Sequence, residues 1–334
     1  MNKHTHRVVT AALAVGSLAA LTACSGAGAS SSDTFVGMSS PVLAQEGQKY
    51  MSDGFAAATQ ELGWDSQVYD ANLSADTQFS NIQTMVDRQA SAVAAWALDD
   101  GAIAGAYANA SASDIPVIGI NSAGSNVTTS VWWEVNTCNS GGVVEQLADT
   151  FAEAKPGGKI AVVGGPPVPS IVALTQCFVD AATAAGLTIV SQQDNTQDTS
   201  AGASALAQDM LSANPEIEGF WTYNDASALG VSSVLTGSGR SIYSPSNRDG
   251  LVVTGVNGDA SAISAVRSGT LSATVDTDPV CSGWAVAGAM RDAQDGTPPE
   301  EYVVASSIVD GATIADYVEP AERTCSLDDL PLVG

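Results

Sequence analysis

Residues 92–121, AVAAWALDDGAIAGAYANASASDIPVIGIN, contain two short apolar runs separated by an alanine-rich segment. The runs Ala92 to Leu98 and Val117 to Ile120 lack polar alternation, which is typical of strands that are buried on both faces. The alanine-rich segment between them predicts a helix. A strand, a helix and a second strand in this order indicate a parallel β-α-β unit.

The same alternation continues on both sides of this unit. Met51, Phe55, Ala58 and Leu62 fall on one helical face, and a second helix is predicted around Phe79 to Arg88. So many parallel strands fit two similar α/β lobes better than one sheet. The further predicted strands are Phe35 to Met38, Gln67 to Asp70, Ile160 to Val163, Thr188 to Ser191, Phe220 to Thr222, Val252 to Val256 and Ala273 to Val275.

Two segments interrupt the alternation. Gly237 to Gly250 is polar and contains Pro245, which predicts a long surface loop. Glu319 to Gly334 is an acidic tail that contains proline and Cys325. We therefore expect neither segment to contribute a regular strand or helix.

The N-terminus has the features of a secretory signal. Lys3 and Arg7 precede an apolar stretch, Val8 to Leu21, which is too short for a membrane span of about 20 residues. Leu21-Thr22-Ala23-Cys24 resembles the lipobox of bacterial lipoproteins, which implies cleavage before Cys24 and lipid on its thiol. The alternative is an ordinary signal followed by a chance cysteine. We predict a signal peptide over residues 1–23 and a flexible tether over residues 24–33.

Charge and histidine content exclude several functions. The 334-residue chain has a formal net charge of −25. Lys3 and Arg7 are the charged residues of the signal, so its loss would make the net charge more negative. A chain this acidic is not expected to bind nucleic acid or an anionic membrane surface. Its two histidines, His4 and His6, lie in the signal. The mature chain is thus expected to lack His-dependent catalysis and His-ligated metal sites. Paired carboxylates remain possible, as in glycosidases.

The remaining four cysteines form an even set, which suggests two disulfides outside the cytoplasm. No pair has Cys-x-x-Cys spacing, so we expect neither a metal nor a redox site. Three pairings are possible from the sequence alone. The four residues are Cys138, Cys177, Cys281 and Cys325.

Five segments, in order and spacing, resemble the ribose-binding-like, type I periplasmic substrate-binding proteins of ABC sugar transporters. The resemblance covers about Thr34 to Val318. The segments are Asp53-Gly54-Phe55 through Glu61-Leu62-Gly63-Trp64, Ile115 to Asn121, Tyr223-Asn224-Asp225 with Ala228-Leu229-Gly230, Val256-Asn257-Gly258, and Ser272 to Val275.

The resemblance implies two flavodoxin-like lobes, with parallel sheets flanked by helices, joined by three hinge strands. The first lobe would contain residues 34–134 and 278–305, and the second residues 135–277 and 306–334. This layout favours the pairs Cys281–Cys325, which would hold the tail, and Cys138–Cys177.

Ligands of open α/β sheets bind beyond the carboxyl ends of the strands. Polar side chains there can bond to sugar hydroxyls, and tryptophans can stack on a sugar ring. For each asparagine the alternative is a turn or a helix cap, and for each tryptophan it is core packing, which we accept for Trp221. The candidate ligand-binding residues are Gln45, Trp96, Asn121, Trp133, Asn224, Asn257, Asp276 and Thr277.

The resemblance also shows departures. Arginines that contact the sugar ring in the family are missing, with Ser122 and Leu174 near the matching positions. An anionic ligand would require such arginines. We therefore expect a neutral ligand, or a cationic one near Asp276, Asp99 and Asp100. The alternative role for Asp99 and Asp100 is to cap the following helix.

The sequence therefore predicts a monomeric, lipid-anchored extracytoplasmic solute-binding protein without cofactor, metal or catalytic activity. It would capture a monosaccharide or polyol by hinge closure and deliver it to an ABC transporter permease. One alternative is a sensory lipoprotein that presents ligand to a membrane receptor. A second is a carboxylate-based glycosidase.

Overall fold

The computed structural model describes residues 34–333 as two six-stranded sheets covered by helices. The predicted signal peptide, Cys24 and the tether lie outside these residues. Within residues 34–333, no helix has the length and apolar character needed to span a membrane.

The first sheet is wholly parallel and has the strand order β11-β5-β4-β3-β1-β2. Helices α1 and α9 pack closely against each other. An added Cβ at Gly54 would collide with the carbonyl oxygen of Val280, so glycine permits this approach. The elements of this lobe are β1 (Phe35–Ser40), α1 (Glu46–Glu61), β2 (Asp65–Asp70), α2 (Ala75–Asp87), β3 (Ala92–Ala95), α3 (Asp100–Ala112), β4 (Val117–Ile120), β5 (Thr129–Trp133), α9 (Pro279–Gln294) and β11 (Glu301–Val304).

The second sheet repeats this arrangement in the order β12-β10-β9-β8-β6-β7. Its edge strand β12 runs antiparallel to β10, and the other pairs are parallel. The elements are α4 (Val143–Ala154), β6 (Lys159–Gly164), α5 (Pro169–Ala184), β7 (Thr188–Asp194), α6 (Ser200–Ala213), β8 (Gly219–Thr222), α7 (Asp225–Gly237), β9 (Val252–Asn257), α8 (Ala260–Ser268), β10 (Ala273–Asp276) and β12 (Ser307–Asp310).

The prediction of two α/β lobes is confirmed, and the nine predicted strands are present, all but β4 with shifted ends. Three strands escaped prediction: β5, β11 and β12. β11 and β12 have four residues each and begin at exposed polar residues, whereas β5 begins with the polar Thr129 and Ser130 and has only three apolar residues. Residues 238–251 contain turns and isolated bridges, as expected for the loop after α7.

The chain crosses between the sheets three times. The first crossing follows β5. The second lies at residues 277–278 between β10 and α9, and the third lies at residues 305–306 between β11 and β12. Disulfides join Cys138 to Cys177 and Cys281 to Cys325, which is the pairing that the expected lobe layout favours.

The tail differs from the expected assignment of residues 306–334 to the second lobe. Its last residues return to the first sheet, where Leu332 bridges to Val304 and Val333 N–H donates to Val303 O. The Cys281–Cys325 disulfide ties the tail to α9 of the same lobe. The apolar Leu327 and Leu330 pack near Gly288 of α9, which explains the return of the tail.

Candidate functional site

A cavity of about 460 Å³ is lined by residues of both lobes at the carboxyl ends of their strands. This position is the one expected for ligands of open α/β sheets, and the volume suits a small organic ligand. The cavity brings together five of the eight predicted ligand-binding residues. These are Gln45, Trp96, Trp133, Asn224 and Asn257.

Trp96 and Trp133 form an aromatic wall contributed by the first lobe. Their rings meet edge to face with centroids 4.7 Å apart. Nε1 of Trp96 donates to Ser170 Oγ of the second lobe at 2.9 Å. Nε1 of Trp133 is buried and has no hydrogen-bond partner within residues 34–333. A buried indole N–H normally finds an acceptor, so Trp133 Nε1 is an unsatisfied donor of a residue that lines the cavity.

Asp198 organises the polar side of the cavity in the second lobe. Its Oδ1 accepts from the Tyr223 hydroxyl and, at 2.8 Å, from Asn224 Nδ2. Its Oδ2 accepts from Gln45 Nε2 of the first lobe at 2.9 Å. Burial and hydrogen bonding to Asp198 raise the pKa of Tyr223, which keeps the phenol protonated.

The sequence reasoning missed Asp198. It lies four residues after β7, at the same edge of the sheet as the predicted asparagines. Asp198 lies within the β7–α6 loop rather than directly after the strand, so the rule that ligands bind at strand ends identifies it only when the whole loop is included.

Asn224 combines the two roles that the sequence left open. Its Oδ1 accepts from Ser227 N at 2.9 Å and caps α7, whereas its Nδ2 bonds to Asp198 in the cavity. Asn257 ends β9 with φ of 126° and also lines the cavity. A hydrogen bond from Asn257 lowers the pKa of Asp259, against the larger effect of burial.

Asn121, Asp276 and Thr277 do not line the cavity, so the structure does not support them as ligand contacts. Asn121 is 2% exposed and its Oδ1 accepts from the Trp133 backbone N–H at 2.8 Å, which fixes β5 beside β4. Thr277 is fully buried at the hinge crossing.

Asp276 forms an ion pair with Arg323 of the tail. Arg323 Nη1 donates to Asp276 Oδ1 at 3.1 Å, and Nη2 pairs with Oδ2. Nη1 also reaches Asp278 Oδ1, at 3.2 Å. Burial raises the pKa of Asp276 although Arg323 opposes that shift. This ion pair removes Asp276 as the partner for a cationic ligand.

The charged residues in the described cavity lining are two aspartates. Of the residues that the structure describes, no lysine or arginine lines the cavity, and Asp99 and Asp198 are its carboxylates. Asp99 Oδ1 caps α3 by accepting from Ala102 N at 2.8 Å, so the alternative role of Asp99 is realised. A phosphate or carboxylate ligand would find no cationic partner here.

Hydrogen bonds join the two lobes around the cavity. Besides the bonds Trp96–Ser170 and Gln45–Asp198, the Glu46 carboxylate at the start of α1 accepts from Ala260 N at the start of α8, at 3.3 and 3.4 Å. Burial and the nearby Glu46 raise the pKa of Asp259 to about 6. The arrangement can enclose a neutral ligand between the lobes, with acceptors and aromatic surface on opposite sides.

Comparison with known proteins agrees with this geometry. A family model described as "Periplasmic binding protein domain" matches residues 36–298. The ribose import binding protein of Bacillus subtilis is 22% identical over 257 residues, which cover 76% of this chain and 80% of that protein.

Solved structures show the same fold. The solute-binding protein of an ABC transporter from Actinobacillus succinogenes, with bound D-allose, has a TM-score of 0.75 at 19% identity, covering 85% of this chain and all of that one. The Caulobacter myo-inositol binding protein has a TM-score of 0.75 at 20% identity, and the match covers 87% of this chain and 97% of that one. These relatives are solute-binding proteins rather than enzymes. With its two α/β lobes around one cavity, the chain belongs to the periplasmic binding protein family.

Proposed function

We propose that this protein is a lipid-anchored extracytoplasmic receptor that binds a neutral sugar or polyol and delivers it to an ABC transporter permease. The cavity itself carries this proposal, because the Trp96–Trp133 wall of one lobe faces the Asp198–Asn224 cluster of the other. Aromatic surface suits the C–H faces of a sugar ring, and carboxylate and amide groups suit its hydroxyls.

Ligand capture is coupled to lobe closure in this proposal. Gln45 and Trp96 of the first lobe bond to Asp198 and Ser170 of the second. A ligand that contacts both lobes favours the closed arrangement by its differential affinity for that arrangement. The relatives from Bacillus subtilis and Actinobacillus succinogenes, described as transport binding proteins, support delivery to a permease.

A ligand panel tests the binding function. The chain without residues 1–23 is heated with neutral pentoses, hexoses and cyclic polyols, and in parallel with sugar phosphates and uronic acids. A true ligand at about 100 times its Kd stabilises the protein by about 2.7 kcal/mol. We expect stabilisation by at least one neutral compound and none by the anionic ones. Stabilisation by anionic compounds alone, or by no compound, would overturn the proposal.

A second experiment tests the membrane anchor. Cys24→Ser removes the thiol that the resemblance to a lipobox implies as the lipid site. We expect the variant to leave the membrane fraction while its ligand affinity, measured by calorimetry, stays unchanged. A substitution of the neighbouring Ser25→Ala is the control and should stay in the membrane fraction. Membrane retention of Cys24→Ser would contradict the anchor.

A further inference from the structure

We propose that the ligand is a neutral sugar-like ring whose periphery is partly deoxygenated or alkylated, rather than a fully hydroxylated monosaccharide. This inference rests on the proposed function and narrows its ligand class. Apolar side chains make up most of the cavity lining, several of its polar groups already have protein partners, and an exposed leucine extends its apolar surface.

Apolar side chains from both lobes dominate the cavity wall beyond the tryptophans. The first lobe contributes Val42, Leu73 and Leu98, and the second contributes Ile171, Leu174 and Val256. A hydroxyl group that is pressed against such carbon surface loses its water without gaining a partner, which costs free energy. A methyl or methylene group at the same place gains free energy from burial.

Several polar groups of the cavity already bond to other protein groups. Trp96 Nε1 donates to Ser170, Asn224 uses both amide atoms, and Gln48 Oε1 accepts from Ser40 Oγ at 3.1 Å. Asp198 accepts three hydrogen bonds from its neighbours. These groups bond to a ligand only by sharing or giving up a present partner, whereas the side chains of Asn136, Thr196 and Gln197 in the described lining are free to bond.

The Trp133 indole N–H is a further unpartnered donor among the described residues that line the cavity. It is buried, and Trp133 is 4% exposed. A ligand with fewer hydroxyl groups than a hexose leaves fewer of them facing the apolar side chains of the wall.

Leu73 extends the apolar surface to the rim of the cavity. Leu73 is 57% exposed, and its backbone has φ of 58°, in the left-handed region that leucine rarely adopts. The N–H of Leu73 donates to Pro41 O at 2.8 Å, which helps to hold this conformation. A strained backbone that places an exposed leucine at a cavity is a feature expected of a ligand contact.

Matched sugars test the inference on the unmodified protein. Calorimetry compares D-fucose with D-galactose, L-rhamnose with L-mannose, and methyl and phenyl β-D-galactoside with D-galactose. We expect the less hydroxylated or alkylated member of at least one pair to bind about tenfold more tightly. If the fully hydroxylated member of every binding pair binds as tightly or more tightly, the inference is wrong and the proposed function stands. If no neutral sugar or polyol binds, the proposed function fails as well.

A pair of variants on one strand assigns the preference to the cavity wall. Val256→Thr replaces a cavity methyl group by a hydroxyl group, whereas Val253→Thr makes the same change in the core of the second lobe, away from the cavity. We expect Val256→Thr to reduce the affinity ratio within the preferred pair severalfold and Val253→Thr to leave it unchanged. Equal ratios in both variants would contradict the assignment. If either variant fails to fold, the paired titrations of the native chain decide.

Discussion

At the scale of single residues, Trp133 shows how one strand end serves both fold and site. Its backbone N–H bonds to Asn121 Oδ1, its ring packs edge to face on Trp96, and its indole N–H is unpartnered. The first two contacts fix the ring in place. The third is a buried donor without a partner among the described residues, and we expect a bound ligand to supply its acceptor.

Replacement of Trp133 by Phe removes this donor and keeps an aromatic ring in the wall. The loss of one ligand hydrogen bond is worth about 1 kcal/mol, so we expect about fivefold weaker binding by calorimetry. Trp221→Phe is the control, because Trp221 is buried in stacking contact with Phe178 and does not line the cavity. A Trp133→Phe variant with native affinity would show that the indole N–H does not contact the ligand.

Asn224 allows its two roles to be separated by a pair of substitutions. Asn224→Ala loses both the α7 cap and the bond to Asp198, so we expect a loss of about 1 kcal/mol in unfolding free energy and weaker ligand binding. Asn224→Ser keeps an oxygen that can cap α7 but lacks the amide N–H. Urea unfolding should show that Ser restores stability, and calorimetry that it does not restore affinity. Full recovery of both would assign Asn224 to the cap alone.

The site residues that the sequence predicts correctly are those whose position depends on neighbouring residues in the chain. Asn224 and Asn257 lie at strand ends, and strand ends are visible in the apolar pattern. The partner of Asp276 is Arg323, which lies 47 residues away along an irregular tail. No periodicity or motif indicates such a contact, so the sequence alone cannot distinguish an Asp276 that binds a ligand from one that pairs with Arg323.

At the scale of elements, strand prediction depended on the length of the apolar run. Val117 to Ile120 is bounded by Pro116 and Asn121 and was predicted with its exact limits. β11 and β12 were missed because they are four-residue strands that begin at Glu301 and Ser307 and derive their stability from pairing with distant partners. Their existence is a property of the sheet rather than of their own sequence.

The link between β10 and α9 depends on the Arg323 ion pair. Both side chains are about nine-tenths buried, and Arg323 bonds to Asp276 and Asp278 on either side of Thr277. Arg323→Met leaves Asp276 unpaired, and we expect a loss of about 3 kcal/mol in unfolding free energy. The double variant Asp276→Asn with Arg323→Met should recover part of that loss in urea unfolding. Additive effects of the two substitutions would contradict a coupled pair.

At the scale of the whole molecule, acidic groups from both lobes face one another beside the cavity. Glu46 of α1 faces Asp259 before α8, with Asp198 and the buried Asp225 of the second lobe close by. Burial raises the pKa of Asp225 and, together with Glu46, raises that of Asp259 to about 6. Since both groups hold a proton more tightly in the folded chain, they make the folded state less favourable as pH rises.

Asp259→Asn tests this effect. In the unfolded chain an aspartate titrates near pH 4. The native protein should therefore lose stability relative to the variant between about pH 4 and about pH 6, with a constant difference above. Urea unfolding across this interval measures the difference. Asp249→Asn, in the exposed loop after α7, controls for net charge. A difference that does not change between about pH 4 and 6 would contradict the prediction.

The path of the tail has a geometric consequence for lobe opening. Tyr317 bonds to Gly258 O and Glu319 pairs with Arg267, both in the second lobe, whereas Cys325 is covalently joined to the first lobe. Six residues at full extension span at most about 20 Å. As long as the contacts of Tyr317 and Glu319 hold, this segment sets an upper limit on how far the two attachment points can separate. The separation that the two lobes can reach is then limited by the length of the C-terminal segment as well as by the three crossings between the sheets.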